Sequence, residues 1–359
     1  MAHEAACTGR TADAQAGYRD ATAAARRATA ARPADDQARR TLVACLTGDG
    51  FFTLQADPRA AATMFREAVR EVDDLLARPA PAFPSRALAA YTYAAAATFD
   101  FIDAKPRDGM AKLKRAASII AETRPDPTAP AHYQDLFDLT GGLLKMSDAA
   151  VLAATRPERA APLFREAVAT FDRLLAVYPK AFQYQMYKLS TLGQEIPVLT
   201  RLGRAEEVGQ RRSELLALSG EILKVSPSLA IAKQFEGIHR AVALAEQARA
   251  GDVAQLADQA DRLLSLVGAD ASAAVTRYNV ACALSLGSQH GPPDLREALA
   301  RKAVRLLVEL LDGPLYRGPT NAAHIDNDPD FDPIRGRADF RAFRARLGPA
   351  VAPPPRRIR

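Results

Sequence analysis

Four aspartates alternate near the end of the chain, Asp326, Asp328, Asp330 and Asp332, with His324 just ahead of them. Carboxylates at every second position are what a calcium loop offers, because a hard cation takes about six to eight oxygen ligands. A loop of the EF-hand kind would also need glycine where Phe331 stands and a bidentate acid where Arg337 stands, so that template does not favour calcium. The same run reads as a turn in which aspartates cap short helical segments and pair with Arg335 and Arg337, while Phe331 and Ile334 pack on the last helix hairpin. The histidines, His3, His132, His239, His290 and His324, show no ligand spacing to one another, and no Ser, Cys or Thr sits in a nucleophile turn. No catalytic, cofactor-binding or metal-binding residue is therefore expected. Tyr184, Tyr187 and Lys188 could line a concave groove that reads a peptide, or serve as packing residues with polar tips.

The elements that must position these residues are set by an internal duplication. Residues 58 to 83 return at 157 to 182, after 99 residues, with 14 of 26 positions identical. Ala61, Phe65, Ala68, Val72 and Leu75 fall at spacings of three and four, and Ala160, Phe164, Ala167, Phe171 and Leu174 repeat them. Each copy is thus an amphipathic helix, opened by Pro58 or Pro157 at a first turn where a missing N–H costs nothing. Because 99 is about three times the 33 to 34 residues of a two-helix repeat, the spacing suggests helical hairpins copied as a block. One such hairpin cannot bury its stripe alone, so several must stack.

At 359 residues, 48% hydrophobic and 25% charged, the chain can bury a large core. With 6% aromatic residues, no Trp and an Ala, Leu and Arg bias, the composition is that of helix formers, and the expected fold is all-α. Cys7, Cys45 and Cys282 are odd in number and far apart, which argues against a disulfide framework and for a reducing cytoplasm. The N-terminus lacks the apolar core of a signal peptide, and Ala87 to Phe99 reads as a buried helix, so no membrane partner is expected. The net charge of +6 owes much to Arg335, Arg337, Arg341, Arg344, Arg346, Arg356, Arg357 and Arg359. With only Phe340 and Phe343 interleaved, that end reads as a solvated helix and a frayed tail rather than a nucleic-acid surface.

Prolines and glycines cut the chain into segments of roughly 16 to 25 residues, suited to about thirteen helices. Ser85 and Ser228 are plausible N-caps, and Gly251-Asp252 marks a tight turn. The expected layout is a disordered 1–10, a helical repeat array over 11–311, a capping segment over 312–348 and a disordered basic tail over 349–359.

Several segments resemble the tetratricopeptide pattern. Ala61-x3-Phe65-x2-Ala68 and Ala160-x3-Phe164-x2-Ala167 match its second-helix core, and Arg201-Leu-Gly-Arg-Ala205 its turn. Tyr278-Asn-Val-Ala281-Cys-Ala283 with Ala298 and Ala303 matches with a longer turn, while the tryptophan position is lost and the helices run long. The last eighty residues, from Tyr278 through Asp328-Pro-Asp-Phe-Asp-Pro-Ile-Arg335 to Arg337-Ala-Asp-Phe340, resemble the end of repeat arrays behind the catalytic domain of planctomycete-type bacterial serine/threonine protein kinases. That resemblance implies a tetratricopeptide-like α-solenoid of antiparallel helix hairpins whose closing segment caps the last repeat. Kinase chemistry would need a Gly-rich loop, a strand lysine, an H-R-D base and a D-F-G aspartate. His239-Arg240-Ala241 lacks the aspartate and Asp100-Phe101-Ile102 the glycine, so the chain is not expected to be an enzyme. The expectation is a protein-protein interaction scaffold holding a protein or peptide segment in a concave groove, without cofactor or small-molecule substrate. The alternative is a regulatory or docking module of a separately encoded kinase.

Overall fold

The computed structural model describes residues 11–54, 57–102, 105–227, 229–268, 273–311 and 319–348. The expected disordered ends, Cys7, Ser228 and the start of the capping segment lie outside the described residues. Every regular element among those described is helical. The chain divides into two compact units, Met1–Glu214 and Leu215–Arg359, at a boundary inside a helix where the sequence marks none.

The first unit holds α1 (Thr11–Ala31), α2 (Asp36–Thr53), α3 (Pro58–Leu76), α4 (Phe83–Ile102), α5 (Pro106–Glu122), α6 (Ala131–Ala153), α7 (Pro157–Val177), α8 (Phe182–Arg201) and the start of α9 (Ala205–Val225). Helix starts follow local chemistry. The Asp35 carboxylate accepts from the N–H groups of Gln37 and Ala38, Asp57 does the same for Arg59 and Ala60, and Pro58, Pro106 and Pro157 open the next helices. Gly203, at φ 69°, supplies the left-handed residue of the α8–α9 turn. Ser85 caps nothing: α4 begins two residues earlier, and the buried Ser85 hydroxyl instead accepts from Arg40 at 3.2 Å.

Helices of the first unit pack on their neighbours in sequence from α1 to α8, and α4 also packs on α6. Both duplicated stripes are buried without exception, Phe164, Ala160, Ala167 and Phe171 completely. The identical acid on each copy is answered by the following helix with a different donor: Asp73 accepts from the Tyr93 hydroxyl, and Asp172 from the Lys188 ammonium. Four helices, α3 to α6, fill the 99 residues between the two starts, so each hairpin takes about fifty residues instead of 33 to 34. The cause is helix length, 17 to 23 residues in α3 through α6. Helix α4 is nearly all core: Ala87 to Ala97 are buried on every side, which is why that alanine-rich stretch shows no polar face. No described helix is long and apolar enough to cross a membrane.

The second unit continues from Leu215 in α9 through α10 (Ala230–Arg249), α11 (Leu256–Val267), α12 (Ala274–Gly287), α13 (Pro293–Leu311), α14 (Pro319–Asn327), a 3-10 turn (Pro329–Ile334) and α15 (Ala338–Arg346). Helix α10 packs on α12 past the short α11, and Gly237 is where they meet: a Cβ there would lie 2.6 Å from Thr276 Oγ1. The 3-10 turn lies on α12 and α15 on α13.

Candidate functional site

The acidic run near the C-terminus is fully engaged in closing the second unit. Asp328 caps the 3-10 turn by accepting from Asp330 N–H at 3.0 Å, and its other oxygen accepts from the Tyr278 hydroxyl at 2.5 Å. Asp330 pairs with Arg249 at 2.7 Å, Asp332 with Arg335 at 2.6 Å and Asp326 with Arg344 at 2.5 Å. Arg335 also donates to the carbonyls of Ile325 and Asp328, tying α14 to the turn. Arg337 reaches out of the run, to Glu297 on α13 at 2.5 Å and to Asp339. Phe331 and Ile334 are fully buried, with Phe331 edge-on to Tyr278 at 5.5 Å. Cys282, Asp328 and Asp330 bring three potential metal-ligand atoms within 4.8 Å of one another. Tyr278 and Arg249 already hold the two carboxylates, and burial, then the Asp328 and Asp330 charges, push the Cys282 thiol far up, away from the thiolate a metal needs.

Tyr184, Tyr187 and Lys188 share α8, but the first unit fills the space around them with its own side chains. Tyr184 is buried with its ring against Tyr178. Tyr187 is half-buried, stacked on Phe171 at 6.0 Å and beside Phe51 at 5.9 Å, with burial raising its hydroxyl pKa. Phe52 stacks on Phe182 at 6.0 Å and on Tyr18 at 5.9 Å, so aromatic rings from α1, α2, α7 and α8 form one seam. Lys188 is held between Asp172 at 2.6 Å and Glu214 at 2.5 Å. Burial alone would lower its pKa, and the two carboxylates more than offset that. Beside it, Arg211 pairs with the buried Glu195 at 3.0 Å and with Glu214 at 2.8 Å. Within the unit Tyr184 is buried, the Tyr187 hydroxyl accepts from Gln183 and the Lys188 ammonium lies between two carboxylates, so the three residues serve the packing of α8.

An open trough is found instead in the second unit, with a volume of about 510 Å³ between α10, α11 and Leu216 of α9. Its apolar wall is Leu216, Leu244, Leu263 and Leu266, and its polar lining is Glu236, Arg240, Gln247, Gln259 and Arg262. Leu256, Ala260, Leu263 and Val267 form the buried stripe of α11 at helical spacing. Leu266 lies one position off that stripe, 36% exposed, and so lines the trough. Glu236 is buried, and its Oε1 accepts from Arg240 Nε at 2.8 Å, an i, i+4 pair across one turn. Sequence reasoning missed this site. Its only signals were the leucine out of period in α11 and the Glu236/Arg240 pair, neither of which stands out among many such residues in a helical chain.

Compared with protein-family models and with curated proteins, the chain matches none.

Proposed function

We propose that the protein is a non-enzymatic interaction scaffold of helical hairpins, and that it holds a segment of another protein in the trough between α10 and α11. The observation that carries this reading is the trough itself: a leucine wall beside a row of arginine and glutamine side chains, built on two helices that both pack on α12. Helical grooves that receive peptides combine apolar pockets with a few placed polar groups, and rigid elements hold such groups more accurately than loops do. The ion pair of Lys302 with Asp261 at 2.5 Å, and its bond to the Ala257 carbonyl, tie α11 to α13. We place the protein in the reducing cytoplasm, which suits two buried, unpaired thiols, Cys45 and Cys282.

The reading is tested by comparing proteins retained from a native lysate by the full chain and by its Leu266→Asp variant, which puts a charge on the apolar wall without disturbing the core. One protein retained by the wild type and lost from the variant is the expected result. Identical profiles for both would show that the trough takes no protein segment.

A further inference from the structure

Three features of the trough describe what fits it. The first is an unanswered acceptor: Gln259 Oε1 is enclosed and has no hydrogen-bond partner among the described residues. A buried acceptor left unpaired is costly, and because the Gln259 side chain lines the trough, a turn of its amide toward a ligand's donor would remove that cost. The second is an unanswered charge. Arg262 is exposed on α11 and makes no hydrogen bond or ion pair among the described residues, whereas Glu236 is already neutralised by Arg240. The trough therefore presents a net positive charge to its occupant. The third is the wall of Leu244, Leu263 and Leu266, which needs an apolar counterpart.

We infer that the occupant is an acidic polypeptide segment bearing an aliphatic side chain, an inference that rests on the segment-binding reading above. Its carboxylate sits against Arg262, its aliphatic side chain between Leu244, Leu263 and Leu266, and one of its backbone N–H groups meets Gln259 Oε1 once that amide turns into the trough. A polypeptide carries an N–H at every non-proline residue, so the donor that Gln259 lacks comes with the chain itself. The shape agrees. Arg240, Arg262 and Leu266 leave the trough open along one side, which suits covering one face of a chain; small-molecule sites enclose about 70–90% of their ligand.

The test selects random phage-displayed peptides of about twelve residues on the intact chain and measures the enriched ones by fluorescence anisotropy. The expected result is enrichment of sequences combining Asp or Glu with Leu, Ile or Val. Their affinity should fall roughly ten-fold or more in Arg262→Glu, and it should weaken with rising salt. Gln259→Leu serves as the second variant: it should weaken binding while melting no lower than wild type, because it removes an unpaired acceptor and keeps the bulk. Arg66→Glu, on α3 of the first unit, should bind as wild type does. Enriched peptides that are neutral or basic, or binding unchanged in Arg262→Glu, would overturn the inference and leave segment binding standing. No enriched peptide at all would overturn both.

Discussion

Replacing Lys188 by methionine separates a structural role for this residue from a role in holding a partner. The ammonium lies 2.6 Å from Asp172 and 2.5 Å from Glu214 with its side chain only 14% exposed, while the carboxylates are 47% and 29% exposed. Exposed pairs contribute about 0.2–1 kcal/mol, and removing one partner of a fully buried pair costs about 3–5 kcal/mol. With one buried member, two half-solvated ones, and Arg211 still holding Glu214, we expect a loss of about 1–2 kcal/mol. Methionine retains most of the apolar stem, so the loss reports the charge. At about 2–4 °C per kcal/mol for a unit of this size, thermal unfolding at pH 7 should drop by about 2–8 °C. Burial alone would raise the Glu214 pKa, but Lys188 and Arg211 bring it below its ordinary 4.5, so its contribution is present above 4.5 and fades as pH falls through the lowered value. Lys188 is held above its ordinary 10.5, so its contribution is complete below 10.5 and fades above it. The gap between wild type and variant, followed by far-UV circular dichroism, is therefore widest between these limits and narrows in acid. Melting curves that coincide within about 1 °C at every pH would refute the reasoning and return Lys188 to the list of free contact residues.

Phe331→Ala should cost about 3–5 kcal/mol, because the ring is fully buried between Tyr278 and Phe340; an unchanged urea midpoint would mean that the closing segment does not cap the unit. Glu297, bonded by Arg337 and Arg301, has its pKa drawn down to about 2, so its stabilising share is present above 4.5 and is lost as pH falls toward 2. In Arg337→Gln that acid-side slope of melting temperature against pH flattens, and an unaltered slope would contradict the pairing. The Cys282 thiol, pushed up by burial, should resist alkylation at pH 8 in the native protein and react fully in denaturant; mass spectrometry that finds it labelled at equal rates in both states would contradict its placement.

The fold was legible wherever a period was long and strong. The stripes from Ala61 to Leu75 and from Ala160 to Leu174 read as buried helix faces, and they are buried. The burial of Phe331 and Ile334 was legible as well, because they stand as isolated apolar residues inside a polar run. Repeat length was not legible: 99 residues divide as well by three short hairpins as by two long ones, and only the packing of α3 to α6 decides between them. Ser85 resembled an N-cap because the helix signal begins at Ser-Arg-Ala, but the Phe83 ring packs on Phe137 and draws the helix start back. The setting of Tyr184, Tyr187 and Lys188 on α8 was not legible for a related reason. Tyr and Lys look alike in a sequence whether their polar ends meet solvent or a neighbouring helix, and the partners Asp172, Glu214, Phe51 and Phe171 come from three other helices. The trough is built from residues that are ordinary one by one; an unanswered Arg262 and an unpaired Gln259 oxygen exist only once α10 and α11 are in place.

The central claim, that a protein segment lies in the trough between α10 and α11, is tested most directly by placing a photo-crosslinking benzoylphenylalanine at position 266 of the full chain in cells. Position 177 is the reference, since Val177 is 65% exposed on α7 and far from the trough residues in sequence. A crosslink to one distinct polypeptide from position 266, absent from position 177, is the expected result. Crosslinks that are alike from both positions, or none from position 266, would contradict it.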